Sequence, residues 1–196
     1  NSYSRKSIGS ADDFLRVRTK IRAQRRRLQK SLSQTSGGHG RKKKLRALDK
    51  FSEYEKHWVQ NYNHYVSKQV VDFAIKNNAK YINLEDLEGY GEEEKNKFIL
   101  SNWSYYQLQQ YIAYKAEKYG IEVRKINPYH TSQVCSCCGH WESGQRVNQK
   151  TFICKNPECE NFGEEVNADF NAARNIALST NWSDMDEKKN KKNKKK

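Results

Sequence analysis

Apolar residues recur at three- and four-residue steps over two long stretches of this chain and alternate over two short ones. Across 11–33, Phe14, Val17, Ile21 and Leu28 form one stripe, with Arg and Lys on the other faces, which predicts an amphipathic helix. Ser10-Ala11-Asp12-Asp13 resembles a capping box with Asp in the third position; Asp12 and Asp13 as metal ligands is the alternative, and a helix start explains them better. A second, longer helix is predicted over 42–77 from Leu45, Leu48, Phe51, Trp58, Tyr62, Tyr65, Val66, Val70, Phe73 and Ala74. Its aromatics read as core rather than as platforms for bases, and Asn77-Asn78 closes it. Between the helices, SGGHGRKKK (36–44) reads as a glycine-rich basic break whose Gly37, Gly38 and Gly40 allow close backbone approach. The expected product is a long basic helical hairpin.

KYINLE (80–85) then reads as a short buried strand ending on Glu85, followed by Asp86, Leu87 and a polar stretch, EGYGEEEKNK, expected to form a loop over a site. A helix is predicted over 104–119, with Ser104 as cap, Tyr105, Leu108, Ile112, Ala116 and Tyr119 on one face, and Gly120 as its stop. Residues 121–126 alternate as a second strand. Strand, helix, strand with a helix of this length is a βαβ unit, so the class is α/β with parallel pairing. A last helix runs from 167 or 168 to 178, and the tail DMDEKKNKKNKKK is low in complexity.

The five cysteines change the picture. Cys135-x2-Cys138, fifteen intervening residues, and Cys154-x4-Cys159 place two thiol pairs on separate turns, which is what one tetrahedral zinc requires at about 2.3 Å per bond. Gly139 fits a tight knuckle after the first pair, and Asn156 with Pro157 bends the second. Two disulfides are the competing reading, and they suit a secreted chain, which nothing else here resembles. Cys137 is left over, either as a free thiol or as an exchangeable ligand.

Charge adds a partner. The 196 residues carry a net +14, with 35% hydrophobic and 31% charged positions. Residues 1–50 hold 16 Lys/Arg against 3 Asp/Glu, residues 181–196 hold 7 against 3, and the body between is slightly acidic. A solvated helix face usually mixes its charges; this one does not, so the expected partner is a polyanion, in practice nucleic acid. Arg22, Arg25, Arg26, His39, Arg41, Lys42 and Lys43 are the candidate contacts, with His39 a contact or a bystander. No apolar run approaches the ~18 residues of a membrane span. The chain begins in a polar run without methionine and reads as a piece of something longer.

Two carboxylates stand where a nuclease would put them. Glu85 ends a strand and Asp169 lies in the first turn of the last helix, and two-metal nucleases gather acids from different elements to clamp a phosphodiester between divalent ions. Hard oxygen ligands suit Mg²⁺. Alone the signal is weak, since an Asp in a first turn is favoured by the helix dipole.

INLEDL, then FILSNWSYYQLQQYIAYKAEKYGIEVRKINPYHTSQVCSCCG, then NADFNAARNIA resemble the C-terminal half of the RuvC-like nuclease domain of type V CRISPR effectors. The resemblance covers about 36–178, including SGGHGRKKK. It is strongest to the miniature type V-F enzymes and extends to transposon-encoded RNA-guided nucleases. It implies that Glu85 and Asp169 bind catalytic metal, that Arg174 takes the place of an active-site arginine, and that the cysteine segment is an inserted ribbon contacting target nucleic acid. For Arg174 a plain surface role stays open. The pattern departs from the family in one respect: the apolar strand bearing the first catalytic Asp is not found. The resemblance therefore implies that earlier strands and the guide- and PAM-recognition domains lie upstream, and that this piece alone cuts poorly or not at all.

The expected architecture is thus α/β, a partial RNase H-like (RuvC) domain with an inserted zinc ribbon and a long basic helical hairpin. Residues 1–130 would form the C-terminal part of the nuclease domain, 131–166 the ribbon, 167–180 the last helix with its Asp, and 181–196 a disordered basic tail. The resemblance implies structural Zn²⁺ on Cys135, Cys138, Cys154 and Cys159, two catalytic Mg²⁺, guide RNA and target DNA as partners, the missing N-terminal portion, a homodimer, and a prokaryotic cytoplasmic role in antiviral defence. The competing readings are a transposon-encoded RNA-guided nuclease and a non-catalytic zinc-ribbon module that binds nucleic acid.

Overall fold

A computed structural model of the chain describes residues 4–86 and 105–180. Among the described residues the chain divides into two units, one built on 6–76 with 105–115, the other on 4–5, 77–86 and 116–180. The loop predicted at 88–97, the cap Ser104 and the basic tail lie outside the described residues.

In the first unit α1 (Ala11–Ser33) and α2 (Gly38–Lys76) pack antiparallel, pairing Phe14 with Trp58 and Tyr62 at ring separations of 5.2 and 5.3 Å. The Ser10 side chain accepts from the Asp13 amide at 3.2 Å, so the acidic pair starts a helix as expected. Helix α2 begins earlier than the sequence suggests. The basic break shrinks to a short turn, because Arg41 donates to the carbonyls of Leu32 and Thr35, and Lys44 donates to that of Ser31 and to Thr35 Oγ1. These cations satisfy carbonyls that the end of α1 leaves open, so HGRKKK is helical rather than loop.

The face that α2 buries also differs in part. Val66 and Ala74 are buried as expected, but Tyr65 is 58% exposed and Leu45 is exposed, while Glu55, Asn63, Ser67 and Val71 are buried. A 39-residue helix meets its neighbours along a 3.6-residue period, and Tyr65 falls off that stripe. The buried polar groups are matched. Glu55 accepts from Arg18 at 2.6 Å and Arg25 at 3.0 Å, and Asn63 donates to Gln107 at 3.0 Å. Ser67 accepts from Lys115 at 2.6 Å. Residues 105–115 of α3 (Tyr105–Glu117) line this side of α2, with His64 stacked on Tyr111 at 4.0 Å.

The second unit opens on β1 (Tyr81–Glu85), which pairs in parallel with β2 (Glu122–Ile126) in the register Tyr81↔Glu122 to Glu85↔Ile126. Ahead of β2, Gly120 at φ +66° ends α3, and the Ile121 amide reaches back to the Ala116 carbonyl. Tyr119, expected on the buried face of α3, lies past the helix end and is exposed. The ribbon follows. Strands β3 (Thr151–Ile153) and β4 (Glu165–Asn167) form an antiparallel pair, and β4 runs into α4 (Ala168–Leu178). Cys135, Phe152, Cys154, Cys159 and Ala168 make its small core.

Candidate metal centre and nuclease site

The cysteine segment folds from its turns outward. Gly139 at φ +75° lets its amide return to the Cys135 carbonyl at 2.9 Å, and the Cys135 amide bonds the His140 carbonyl. That is the first knuckle. In the second, Asn156 Oδ1 accepts from the Glu158 amide and its carbonyl accepts from the Cys159 amide. The two turns bring Cys135, Cys138, Cys154 and Cys159 together, all four sulfurs within 4.8 Å of one another. Cys135–Cys159 and Cys138–Cys154 are 3.9 and 3.7 Å apart. A tetrahedral zinc with bonds near 2.3 Å holds its sulfurs roughly 3.8 Å apart, so the donor set fits that ion.

All five thiols are free of disulfides. Burial pushes Cys154 up to about 12, whereas at Cys138 the backbone and side-chain hydrogen bonds outweigh the burial and bring it down to about 7. Binding a metal as thiolates would release protons. Cys137 packs half-buried against this core and lies outside the four-sulfur group.

Helix α4 is joined to the first knuckle by asparagines. Asn167 caps the helix, accepting from the amides of Asp169 and Phe170. Asn171 accepts from the Ser136 amide and donates to the Val134 carbonyl, both at 2.8 Å. Asn175 donates to the carbonyls of Thr131 and Val134, again at 2.8 Å. The spacing 167, 171, 175 puts all three on one side of the helix. This stripe lies outside the sequence-based candidates, though the four-residue repeat of Asn in NADFNAARN marks it.

This scaffold places the candidate acids. Glu85 ends β1, and its Oε1 accepts from Thr131 Oγ1 at 2.6 Å. Asn83, two residues earlier, donates to the carbonyls of Ile176, Ala177 and Ser179 at the end of α4. Asp169 projects from the first turn of α4, 77% exposed, with Arg146 3.8 Å away. Arg174 lines an open groove of about 620 Å³ beside the knuckles, with Cys137, Cys138, Glu158, Cys159 and Glu160. The three candidate catalytic side chains therefore meet three different neighbours. Among the described residues, neither Glu85 nor Asp169 belongs to a group of three or more His, Cys, Asp or Glu that could hold a metal. Their oxygen donors suit Mg²⁺, but the pair is an incomplete ligand set.

Of the basic candidates, Arg25 is tied to Glu55 and Arg41 to the end of α1. Arg26, His39, Lys42 and Lys43 are exposed, and Arg22 is half-exposed. No helix among the described residues is long and apolar enough to cross a membrane.

The family model described as "Cas12f1-like, TNB domain" matches residues 105–176, which include α3, β2, the ribbon and most of α4. The CRISPR-associated endodeoxyribonuclease Cas12f1 of Sulfoacidibacillus thermotolerans is 41% identical over 87% of this chain and 39% of its own length. The Cas12f1 of Syntrophomonas palmitatica is 37% identical, over 90% and 41%. A TnpB-like protein of Methanocaldococcus jannaschii is 34% identical, over 80% and 55%. A cryo-EM structure of a CRISPR-Cas12f ternary complex superposes with a TM-score of 0.73 at 32% identity, over 94% of this chain and 36% of that one. One of a Cas12f1–sgRNA–target DNA complex gives 0.68 at 29%, over 91% and 45%. The chain spans about two fifths of the length of the Cas12f1 relatives it matches. Residues 105–176 thus match the Cas12f1-like TNB domain, and over at least four fifths of its length the chain is similar to Cas12f1 and to a TnpB-like protein.

Proposed function

We propose that this chain forms the C-terminal part of an RNA-guided, metal-dependent DNA endonuclease. One observation carries the reading: a 170-residue match to an endodeoxyribonuclease within 196 residues necessarily includes both Glu85 and Asp169. In this reading the α/β unit is part of a RuvC-like, RNase H-like domain, the four cysteines hold a structural zinc, and the ribbon bears on target DNA. Glu85 and Asp169 would hold Mg²⁺. When bound, such ions activate the attacking water and stabilise the leaving oxygen of a phosphodiester. The chain's own contribution is to fix the two carboxylates. Thr131 orients Glu85, Asn83 ties β1 to the end of α4, and the Asn167 cap sets the turn from which Asp169 projects. Arg174 would meet a phosphate as a planar, permanently charged donor. The exposed cations of α1 and α2 would track the backbone of guide RNA or DNA. Sequence choice would come from guide pairing. In this reading the third carboxylate sits on the strand that the resemblance puts upstream of these 196 residues, so the 196 residues alone cut weakly or not at all.

The test is a chimera in which this chain replaces the matching segment of the Sulfoacidibacillus thermotolerans Cas12f1. Guide-directed DNA cleavage should be retained, and Glu85→Ala or Asp169→Ala should each lower it by more than about 100-fold while target binding survives. Unchanged cleavage in either variant sinks the nuclease assignment. Target binding by a chimera that never cuts would favour the non-catalytic zinc-ribbon module.

A further inference from the structure

The ribbon and the two residues just before it carry an exposed aromatic group that neither the zinc core nor the carboxylates account for. Tyr129 is 70% exposed and Trp141 is 52% exposed. The His130 ring stands close to perpendicular to both, with centroids 3.9 Å from Tyr129 and 5.1 Å from Trp141. Gln133 Oε1 accepts from Trp141 Nε1 and lies within hydrogen-bond reach of His130 Nδ1, both at 3.1 Å. Asn127 Oδ1 accepts from the Tyr129 amide. His130 has φ +60°, a left-handed backbone unusual for a residue with a Cβ, held by bonds from the Gln133 and Val134 amides to its carbonyl. The rings are thus held in place rather than loosely splayed, and Tyr129 and Trp141 both stay more than half exposed.

Two further observations say what those faces take. The ribbon, 131–166, has 3 Lys/Arg against 5 Asp/Glu, so phosphate attraction cannot be its grip on nucleic acid. And the residue after His130 is Thr131, whose hydroxyl bonds Glu85.

We infer that Tyr129, His130 and Trp141 form a stacking ledge for the unpaired bases of single-stranded DNA, delivering the strand to Glu85. Base–aromatic stacking tolerates any sequence, as guide-directed cutting requires, and it needs bases that are out of a duplex. DNA is the occupant because the strand that reaches Glu85 is the strand cut, which rests on the nuclease reading above. His130 acts as the spacer, setting Tyr129 and Trp141 apart.

The test is an anisotropy titration of the zinc-loaded 196-residue chain with a labelled oligothymidylate and an abasic oligodeoxynucleotide of equal length. Raised salt suppresses binding by the basic helices. Wild type should prefer the thymidylate. Tyr129→Ala and Trp141→Ala should each weaken that binding by about 5- to 100-fold, leave the abasic oligomer and the salt slope unchanged, and keep one zinc per chain. Tyr129→Phe and Trp141→Phe, which retain a ring, should bind as wild type and so separate stacking from a folding defect. Equal wild-type affinity for the two oligomers overturns the inference, as does unchanged binding in the Ala variants or equal loss on the abasic strand. Tighter binding of oligouridylate overturns the DNA assignment. The readout is binding alone, so ledge and nuclease can fail separately: cleavage surviving Glu85→Ala in the chimera leaves the ledge standing.

Discussion

The Thr131 hydroxyl donates to Glu85 Oε1 at 2.6 Å across 46 positions of chain, joining the start of the ribbon to the end of the strand that bears the candidate acid. A carboxylate ligand is commonly oriented by a group of this kind, and losing such a partner costs about 10–100-fold in metal affinity or activity. Thr131→Val should therefore reduce guide-directed cleavage by the chimera by that factor, with zinc content unchanged. Thr131→Ser, which keeps the hydroxyl, should restore most of the loss.

The four-sulfur group makes a metal prediction with an internal control. The zinc-loaded chain should hold one ion, read by a colorimetric chelator after thiol modification. Cys154→Ser should lose it and expose the ribbon to proteolysis, because a small core of this size depends on its metal. Cys137→Ser should bind zinc as wild type, since that thiol lies outside the group.

Glu55 gives a pH dependence for the helical unit. Burial opposes its charge, but Arg18 and Arg25 outweigh this and hold its carboxyl below the usual range. A depressed carboxylate contributes stability that is fully present above its unfolded value, about 4.3. That contribution is lost as pH falls through the lower folded value. Helical signal in thermal melts should fall on acidification below about pH 4.5. Glu55→Gln should lower stability at pH 7 by about 2 kcal/mol and flatten the acid limb.

Asn171 is nearly fully buried and makes two backbone bonds to the first knuckle. Asn171→Ala leaves the Ser136 amide and the Val134 carbonyl without it and should cost about 1–3 kcal/mol in urea unfolding. Asn171→Asp keeps the acceptor but not the donor and should recover only part.

Strand–helix–strand order, the knuckles and the parallel pairing were legible because each depends on a local period or spacing. Ile121 to Ile126 alternates, Gly120 stops a helix, and two cysteine pairs converge wherever their turns close. The missed features have partners chosen by tertiary geometry. Arg41 reads as a loop cation until the end of α1 presents it with carbonyls. No local spacing announces the burial of Glu55, over which two arginines from another helix close. Nor does one announce that Asn171 and Asn175 meet backbone. Tyr65 keeps its aromatic signature but falls off the stripe that α2 buries.

The amide of Asn83, gripping the carbonyls at the far end of α4, makes that helix a spacer of set length. Asp169 stands seven residues before Ile176, about 10 Å along the axis at 1.5 Å per residue. One residue added or removed between them would swing Asp169 through about 100° relative to the strand that bears Glu85. The ribbon is restricted only where it is moored, at Thr131 on Glu85, at Ser136 on Asn171, at Arg146 beside Asp169 and at Lys150 on Ala168. Turns between those points could therefore differ in length and surface chemistry between related chains without moving either carboxylate, whereas α4 must be inherited at its present length.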